Sequence, residues 1–209
     1  ELHSAHAYTL ASFLSRANPR RGEYGGDSLE GRLRLIGRVM ENIRRKVGAD
    51  FPVCIRIDSE EFIKDGYTVD DSKLIALRLA QLGFGYVSLS VGGKFEDAIH
   101  KPGEVPYPYT GYSGDRAMPG NWYPPMVHAH LAAEIRSFVR SKGYQVPIAV
   151  AGKISDPDDA ESVIADGKAD IVAIARGLLA DPYWPNNVRA GQRDRIVQCD
   201  YCNYCKDLD

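Results

Sequence analysis

The sequence predicts an α/β fold with a parallel sheet, read as a TIM (β/α)8 barrel of which the chain holds the later part, about strands 4 to 8. Three observations predict it. Helical and strand signals alternate along all 209 residues. The strand candidates are short and apolar throughout rather than alternating, the pattern of strands buried on both faces of a parallel sheet. Polar residues or glycines follow nearly every strand at its C-terminal end, where barrel enzymes build their sites. A doubly wound sheet would concentrate such residues at one switch point.

The elements follow in order. A strand-like stub at residues 1–2 leads into His3 and His6. Ser28 to Val47 carries apolar residues at Leu29, Leu33, Ile36, Val39, Met40 and Ile43, which is helical spacing, with Ser28 as N-cap and Glu30 in the first turn. Phe51 to Ile57 is a β-branched strand ending on Arg56 and Ile57. Thr68 to Leu82 reads as a helix capped by Thr68 or Asp70, and Gly85 to Val91 as a strand closed by Gly92-Gly93. Lys94 to Pro125 reads as an ordered loop, because tyrosines and a tryptophan accompany its glycines and prolines. A helix over Met126 to Lys142, a strand over Val146 to Ala151, a short helix over Pro157 to Ala165, a strand over Ala169 to Ile174 and a helix from Gly177 onward complete the series. That makes about five strands, so about three of a full barrel are expected before Glu1.

Composition narrows the function. Apolar residues make up 44% and charged residues 26%, ordinary for a globular domain. A net charge of -2 gives no global attraction to nucleic acid or to an anionic membrane surface. No apolar run approaches the ~20 residues of a membrane span. The expected partner is a small-molecule substrate, and a homo-oligomer is left open. Three of the four cysteines cluster near the end, which suits a reducing, cytoplasmic setting better than a secreted disulfide framework.

That cluster is Cys199-Asp-Tyr-Cys202-Asn-Tyr-Cys205. Two residues between each pair let neighbouring thiolates address one metal centre. Iron–sulfur ligation and a zinc site both fit, and each needs a fourth ligand. Cys54 reads as a small buried hydrophobe.

Taken together, the motifs resemble one family. His3-Ser-Ala-His6-Ala-Tyr8, Glu23-Tyr-Gly-Gly26, Ser28-Leu-Glu-Gly-Arg32, Phe51-Pro-Val-Cys-Ile-Arg56, Tyr86-Val-Ser-Leu-Ser90, Ala149-Val-Ala-Gly152-Lys-Ile154 and Ala180-Asp-Pro182 occur in the order of the old yellow enzyme family. The cysteine run resembles its iron–sulfur branch, which includes 2,4-dienoyl-CoA reductase, 2-enoate reductase and trimethylamine dehydrogenase. The resemblance implies an FMN-binding barrel over residues 1–191 and the start of a [4Fe-4S] cluster segment over 192–209, with the fourth ligand outside the chain. It also implies NAD(P)H as electron source, with FAD in the full-length protein.

The roles implied are specific. His3 and His6 would donate hydrogen bonds to a substrate carbonyl, polarising a conjugated alkene. Tyr8 would protonate the α-carbon. Arg56 would lie by the flavin ring, and Gly152, Lys153, Ala175 and Arg176 would form the phosphate end. Cys199, Cys202 and Cys205 would hold the cluster. The resemblance thus implies an FMN-dependent oxidoreductase reducing an activated C=C bond of an enoate or enoyl thioester. An amine dehydrogenase, with loop aromatics caging a cation, is the first alternative, and an inactive barrel piece the second. Departures are Gly22 for a usual aspartate, Lys153 and Ala175 where arginine or glycine is common, and Phe95 to His100 in place of a Trp-His-Glu run. His100 is a weak substitute for that histidine, and Gly92-Gly93 read as a plain turn.

Overall fold

The computed structural model describes residues 1–95 and 110–206. It contains five parallel strands: β1 (Leu2–Ser4), β2 (Ile55–Asp58), β3 (Val87–Ser90), β4 (Ile148–Val150) and β5 (Ile171–Val172). They pair in strict chain order, β1-β2-β3-β4-β5. No order reversal occurs among the described residues, so there is no doubly wound switch point, and the sheet is the later part of a barrel.

Helices fill the connections. They are α1 (Thr9–Leu14), α2 (Leu29–Val47), α3 (Val69–Gln81), α4 (Gly111–Ala117), α5 (Ala129–Ser141), α6 (Pro157–Ala165), α7 (Arg176–Ala180) and α8 (Trp184–Arg189). The Ser28 cap of α2 is as expected: its hydroxyl accepts the Gly31 N–H at 3.1 Å. At α3 the Asp71 carboxylate reaches back to the Thr68 N–H at 3.1 Å, a capping-box contact. Two helices depart from the sequence expectation. Helix α1 is too short to show a period, and α4 lies inside the stretch read as loop. The strands are also shorter than their apolar runs, because flanking apolar residues such as Val53 and Val91 pack without joining the ladder.

Register decides which side chains face the site. Ile55 and Ile57 pair with Val87 and Leu89, which pair with Ile148 and Val150. All six are buried in the core shared with Leu33, Ile36, Met40, Ile75, Leu79 and Ile135 of the helices. Truncating one of these, Ile36→Ala for example, would cost about 2–5 kcal/mol. Strand period two then sends the intervening residues to the opposite face. There His3 pairs with Arg56, Arg56 with Ser88, and Asp58 with Ser90. Asp170 holds the far side of the sheet. Its carboxylate accepts from Arg136 and Arg140 of α5 at 3.0 Å each and from the Ile148 N–H at 2.9 Å.

Candidate active site

A cleft of about 240 Å³ opens at the C-terminal ends of the strands. His6, Arg56, Gly152, Lys153, Ala175 and Arg176 all line it. Six residues singled out from sequence, drawn from four separate chain segments, therefore share one wall. His3 and Tyr8 lie beside it: the His3 ring is 5.1 Å from that of His6 and 5.5 Å from that of Tyr8.

The loop after β1 places His6 in an unusual backbone. His6 and Ala7 have φ of 61° and 64°, a left-handed pair. Two contacts hold it. The Asp58 carboxylate at the end of β2 accepts the His6 N–H at 2.9 Å, and the His6 carbonyl accepts the Lys94 N–H at 3.3 Å. Gly93 makes this possible. A Cβ there would stand 2.3 Å from the His6 carbonyl carbon. Gly92-Gly93 is therefore more than the plain turn the sequence suggests; it is the surface on which His6 rests. Held so, His6 brings Nε2 to 2.6 Å from the Ser90 hydroxyl.

Burial disfavours the charged forms of the histidines and acids at this end. Burial, then the Arg56 charge, lower the His6 pKa to about 3, and the same two causes lower that of His3. Asp58 is fully buried, and burial raises its pKa well above the usual carboxylate range. Glu61, the third residue of the following loop, is pushed up to about 7, again chiefly by burial. It accepts from Tyr67 N–H at 2.7 Å and Ser15 Oγ at 2.9 Å. Tyr8 is 41% exposed and has the Lys94 ammonium 5.3 Å from its ring. The Arg56 guanidinium donates to Ser88 Oγ at 2.7 Å.

The other end is cationic. Lys153 Nζ donates to the carbonyls of Asn121 and Tyr123, and Arg176 donates to the Pro119 carbonyl at 2.9 Å and to Asn203 Oδ1. Lys153 has its pKa lowered by burial and by Arg176. Sequence reasoning missed His128, which lies between the two ends. It lines the cleft, is 6% exposed, and its Nδ1 lies 3.1 Å from the Ala151 carbonyl. Burial lowers its pKa to about 4. Gly152, at φ 133°, leaves room for that ring, since a Cβ there would meet His128 Nδ1 at 2.4 Å. An i, i+2 histidine pair at a helix start was the available signal, but nothing in the pattern tied it to the strand end 23 residues on.

A family model described as NADH:flavin oxidoreductase / NADH oxidase matches residues 1–89 and 123–195. The chain belongs to this family, that of old yellow enzyme. It is 35% identical over 204 residues to an NADH oxidase of Thermoanaerobacter brockii, covering 97% of this chain and 28% of that protein. It is 34% identical over 208 residues to an N,N-dimethylglycine/sarcosine dehydrogenase of Chromohalobacter salexigens, covering 99% and 27%. Its fold superposes on a 2-naphthoyl-CoA reductase complexed with 2-naphthoyl-CoA with a TM-score of 0.80 at 29% identity, covering 99% of this chain and 29% of that one. The chain thus spans less than a third of the length of each.

The cleft fits an anionic flavin. Arg56, Lys153 and Arg176 are donors only, and they surround a space lined by small residues such as Ala151, Gly152, Ala173 and Gly177. The cysteines are different. Cys199 and Cys205 are half-buried and Cys202 is exposed. Among the described residues no set of three or more His, Cys, Asp or Glu side chains is placed to hold a metal ion. Cys54 is half-buried, less enclosed than expected. His100, Tyr107 and Tyr109 lie outside the described residues. No helix among the described residues is long and apolar enough to cross a membrane.

Proposed function

We propose that this chain is the FMN-binding barrel portion of an oxidoreductase that reduces an activated C=C bond of an enoate or enoyl thioester. The observation that carries the reading is one cleft whose two ends differ: a cationic end at Gly152, Lys153, Ala175 and Arg176, and a neutral His3–His6–Tyr8 end. FMN, when bound, supplies hydride chemistry. Every other part belongs to the chain. Arg176 and Lys153 hold an anionic group at one end, and Arg56 sets positive charge midway along the wall. His3 and His6 hold the substrate carbonyl oxygen as neutral hydrogen-bond donors, stabilising charge that develops there. A neutral imidazole holds its proton while donating, and a pKa near 3 keeps His6 neutral at every working pH. Tyr8, exposed at the rim, gives its phenolic proton to the α-carbon.

Residues 1–191 form the barrel portion in this reading, and residues 192–209 begin a cluster segment with Cys199, Cys202 and Cys205 as ligands. Its support is the spacing of the thiols, and the barrel residues act the same way whatever delivers the electrons. Electrons from a nicotinamide nucleotide suit the family, whose model is described by NADH.

Likeness to a dehydrogenase of methylated amines supports a second reading, amine oxidation. The described loop aromatics speak against a cation cage there. Arg116 already occupies that place, with its guanidinium 3.5 Å from the Tyr112 ring centroid, 5.0 Å from that of Phe62 and 5.9 Å from that of Tyr123.

The test is turnover by the intact protein, purified anaerobically, on enoates, enoyl-CoA thioesters and methylated amines, with the visible spectrum and iron and sulfide content. Flavin bands and alkene turnover are expected. A colourless protein, or turnover confined to amines, would refute the reading.

A further inference from the structure

Between the cysteines lie two residues that do not point at a metal. Tyr201 and Asn203 have φ of 56° and 65°, left-handed conformations that side chains rarely adopt without a compensating contact. Both find theirs in the cleft. The Tyr201 ring lines it, with the Lys153 ammonium and the Arg176 guanidinium each 4.8 Å from the ring centroid. Its hydroxyl donates to Ser155 Oγ at 2.6 Å. Asn203 is 5% exposed; its Oδ1 accepts from Arg176 and its Nδ2 donates to the Met118 carbonyl at 3.0 Å. Ser155 in turn accepts the Trp184 indole N–H on its carbonyl at 2.7 Å, so the anchor reaches α8.

Two like charges share one aromatic ring here. Lys153 and Arg176 repel each other, and the negative ring face attracts both within cation–π range. A flexible lysine and a long arginine would otherwise spread into solvent. The ring, the Asn203 carbonyl oxygen and the backbone carbonyls of residues 119, 121 and 123 fix both heads at the same wall.

We propose that Tyr201 and Asn203 are positioning residues of the anion site: they set Lys153 and Arg176 for the phosphate of a phosphate monoester, so the cysteine segment is itself part of that site. The inference rests on the FMN reading above. Its consequence is reciprocal. A phosphate bound to the two cations holds them against Tyr201, so it also orders the backbone that carries Cys199, Cys202 and Cys205. Order in that backbone tightens phosphate binding by the same factor.

The experiment measures flavin affinity of the intact protein by fluorescence quenching, with FMN and with riboflavin, which lacks the phosphate. Tyr201→Leu is expected to weaken FMN about tenfold and leave riboflavin nearly unchanged, because only the phosphate contacts the two cations. Tyr201→Phe keeps the ring and is expected to stay within about twofold of wild type. In protein stripped of metal, FMN is expected to slow alkylation of Cys199 and Cys205 in wild type and not in Tyr201→Leu. An FMN-to-riboflavin affinity ratio that Tyr201→Leu leaves unchanged would overturn the proposal. Should that variant not fold, Asn203→Ser, which withdraws the Arg176 acceptor, is read the same way. Wild-type protein that binds no FMN would remove the functional reading and this inference with it. Wild-type binding with an unchanged variant ratio removes this inference alone.

Discussion

The two ends of the cleft solve opposite electrostatic problems. At the His3–His6–Tyr8 end, burial works against charge: His6 stays neutral, and the carboxyls of Asp58 and Glu61 are pushed up, that of Glu61 to about 7. At the other end Lys153 and Arg176 keep their charges, and carbonyl oxygens with the Tyr201 ring compensate them. Under the proposed function, the difference matches a separate task for each end. Proton donation and carbonyl polarisation need donors that hold their protons at fixed positions, and burial favours the neutral form of the groups around them. Anchoring an anion needs charge that does not titrate, so it is given to arginine and to a lysine held by carbonyls.

The largest effect expected is on Tyr8. Tyr8→Phe removes the proton donor and nothing from the anchor. Alkene turnover should fall by about 10²–10⁴-fold, the usual range for a general acid, while the FMN affinity stays at the wild-type value. Single-turnover kinetics beside a flavin titration separate the two. Loss of both together would mean that the ends are not independent. Arg176→Leu is the converse variant. It should raise the FMN Kd about a hundredfold, since charge-assisted hydrogen bonds contribute about 1.5–3 kcal/mol each. Riboflavin binding should hardly move.

Much of this division is readable in the sequence, and the limits are physical. Gly152 and Arg176 follow strand ends, which are visible as apolar runs that stop at a polar residue, and Arg56 stands out as the charge inside the short strand β2. Their convergence follows once the strands are parallel and in chain order. His128 and Tyr201 were not legible. Neither lies at a strand end, and each reaches the cleft through a contact spanning tens of residues, to Ala151 in one case and to Lys153 and Arg176 in the other. The role of Gly93 was hidden for another reason. A glycine pair after a strand looks like a turn unless the backbone stacked on it, here that of His6, is known. Helix α4 escaped because its run Gly-Tyr-Ser-Gly-Asp-Arg-Ala has almost no apolar period to detect.

Glu61 tests the claim that the neutral end is stabilised by withholding charge. Its carboxyl has a reference pKa of 4.5 and titrates near 7 in the fold. The folded chain therefore binds the proton more tightly than the unfolded one. The contribution of this group to stability is fully present below about pH 4.5 and is lost as pH rises to about 7. By pH 8 the loss is on the order of 3 kcal/mol. Glu61→Gln keeps the shape and an oxygen for Tyr67 and Ser15. It should melt at a higher temperature than wild type at pH 8, with the gap closing toward pH 5. Parallel melting curves across that range would refute a buried, late-titrating acid at this position.

The smallest effect expected lies between the two ends, at His128. The Ala151 carbonyl can only accept, so Nδ1 carries the proton and Nε2 is left with a lone pair, for which the described residues offer no hydrogen-bond partner. That lone pair lines a cleft whose charged side chains are all donors. It suits a hydroxyl of the ligand, such as one on the ribityl chain, rather than its phosphate. His128→Leu should weaken FMN and riboflavin alike, by about fivefold, in keeping with ~1 kcal/mol for a neutral hydrogen bond. His128→Gln, which retains an acceptor, should lose about threefold or less. Because the imidazole stays neutral down to about pH 4, wild-type affinity should be flat from pH 8 to 5 as far as this group is concerned. The equal response of the two flavins sets His128 apart from Arg176, whose loss discriminates them. A His128→Leu variant that discriminates FMN from riboflavin as Arg176→Leu does would place the histidine at the cationic end and redraw the boundary between the two.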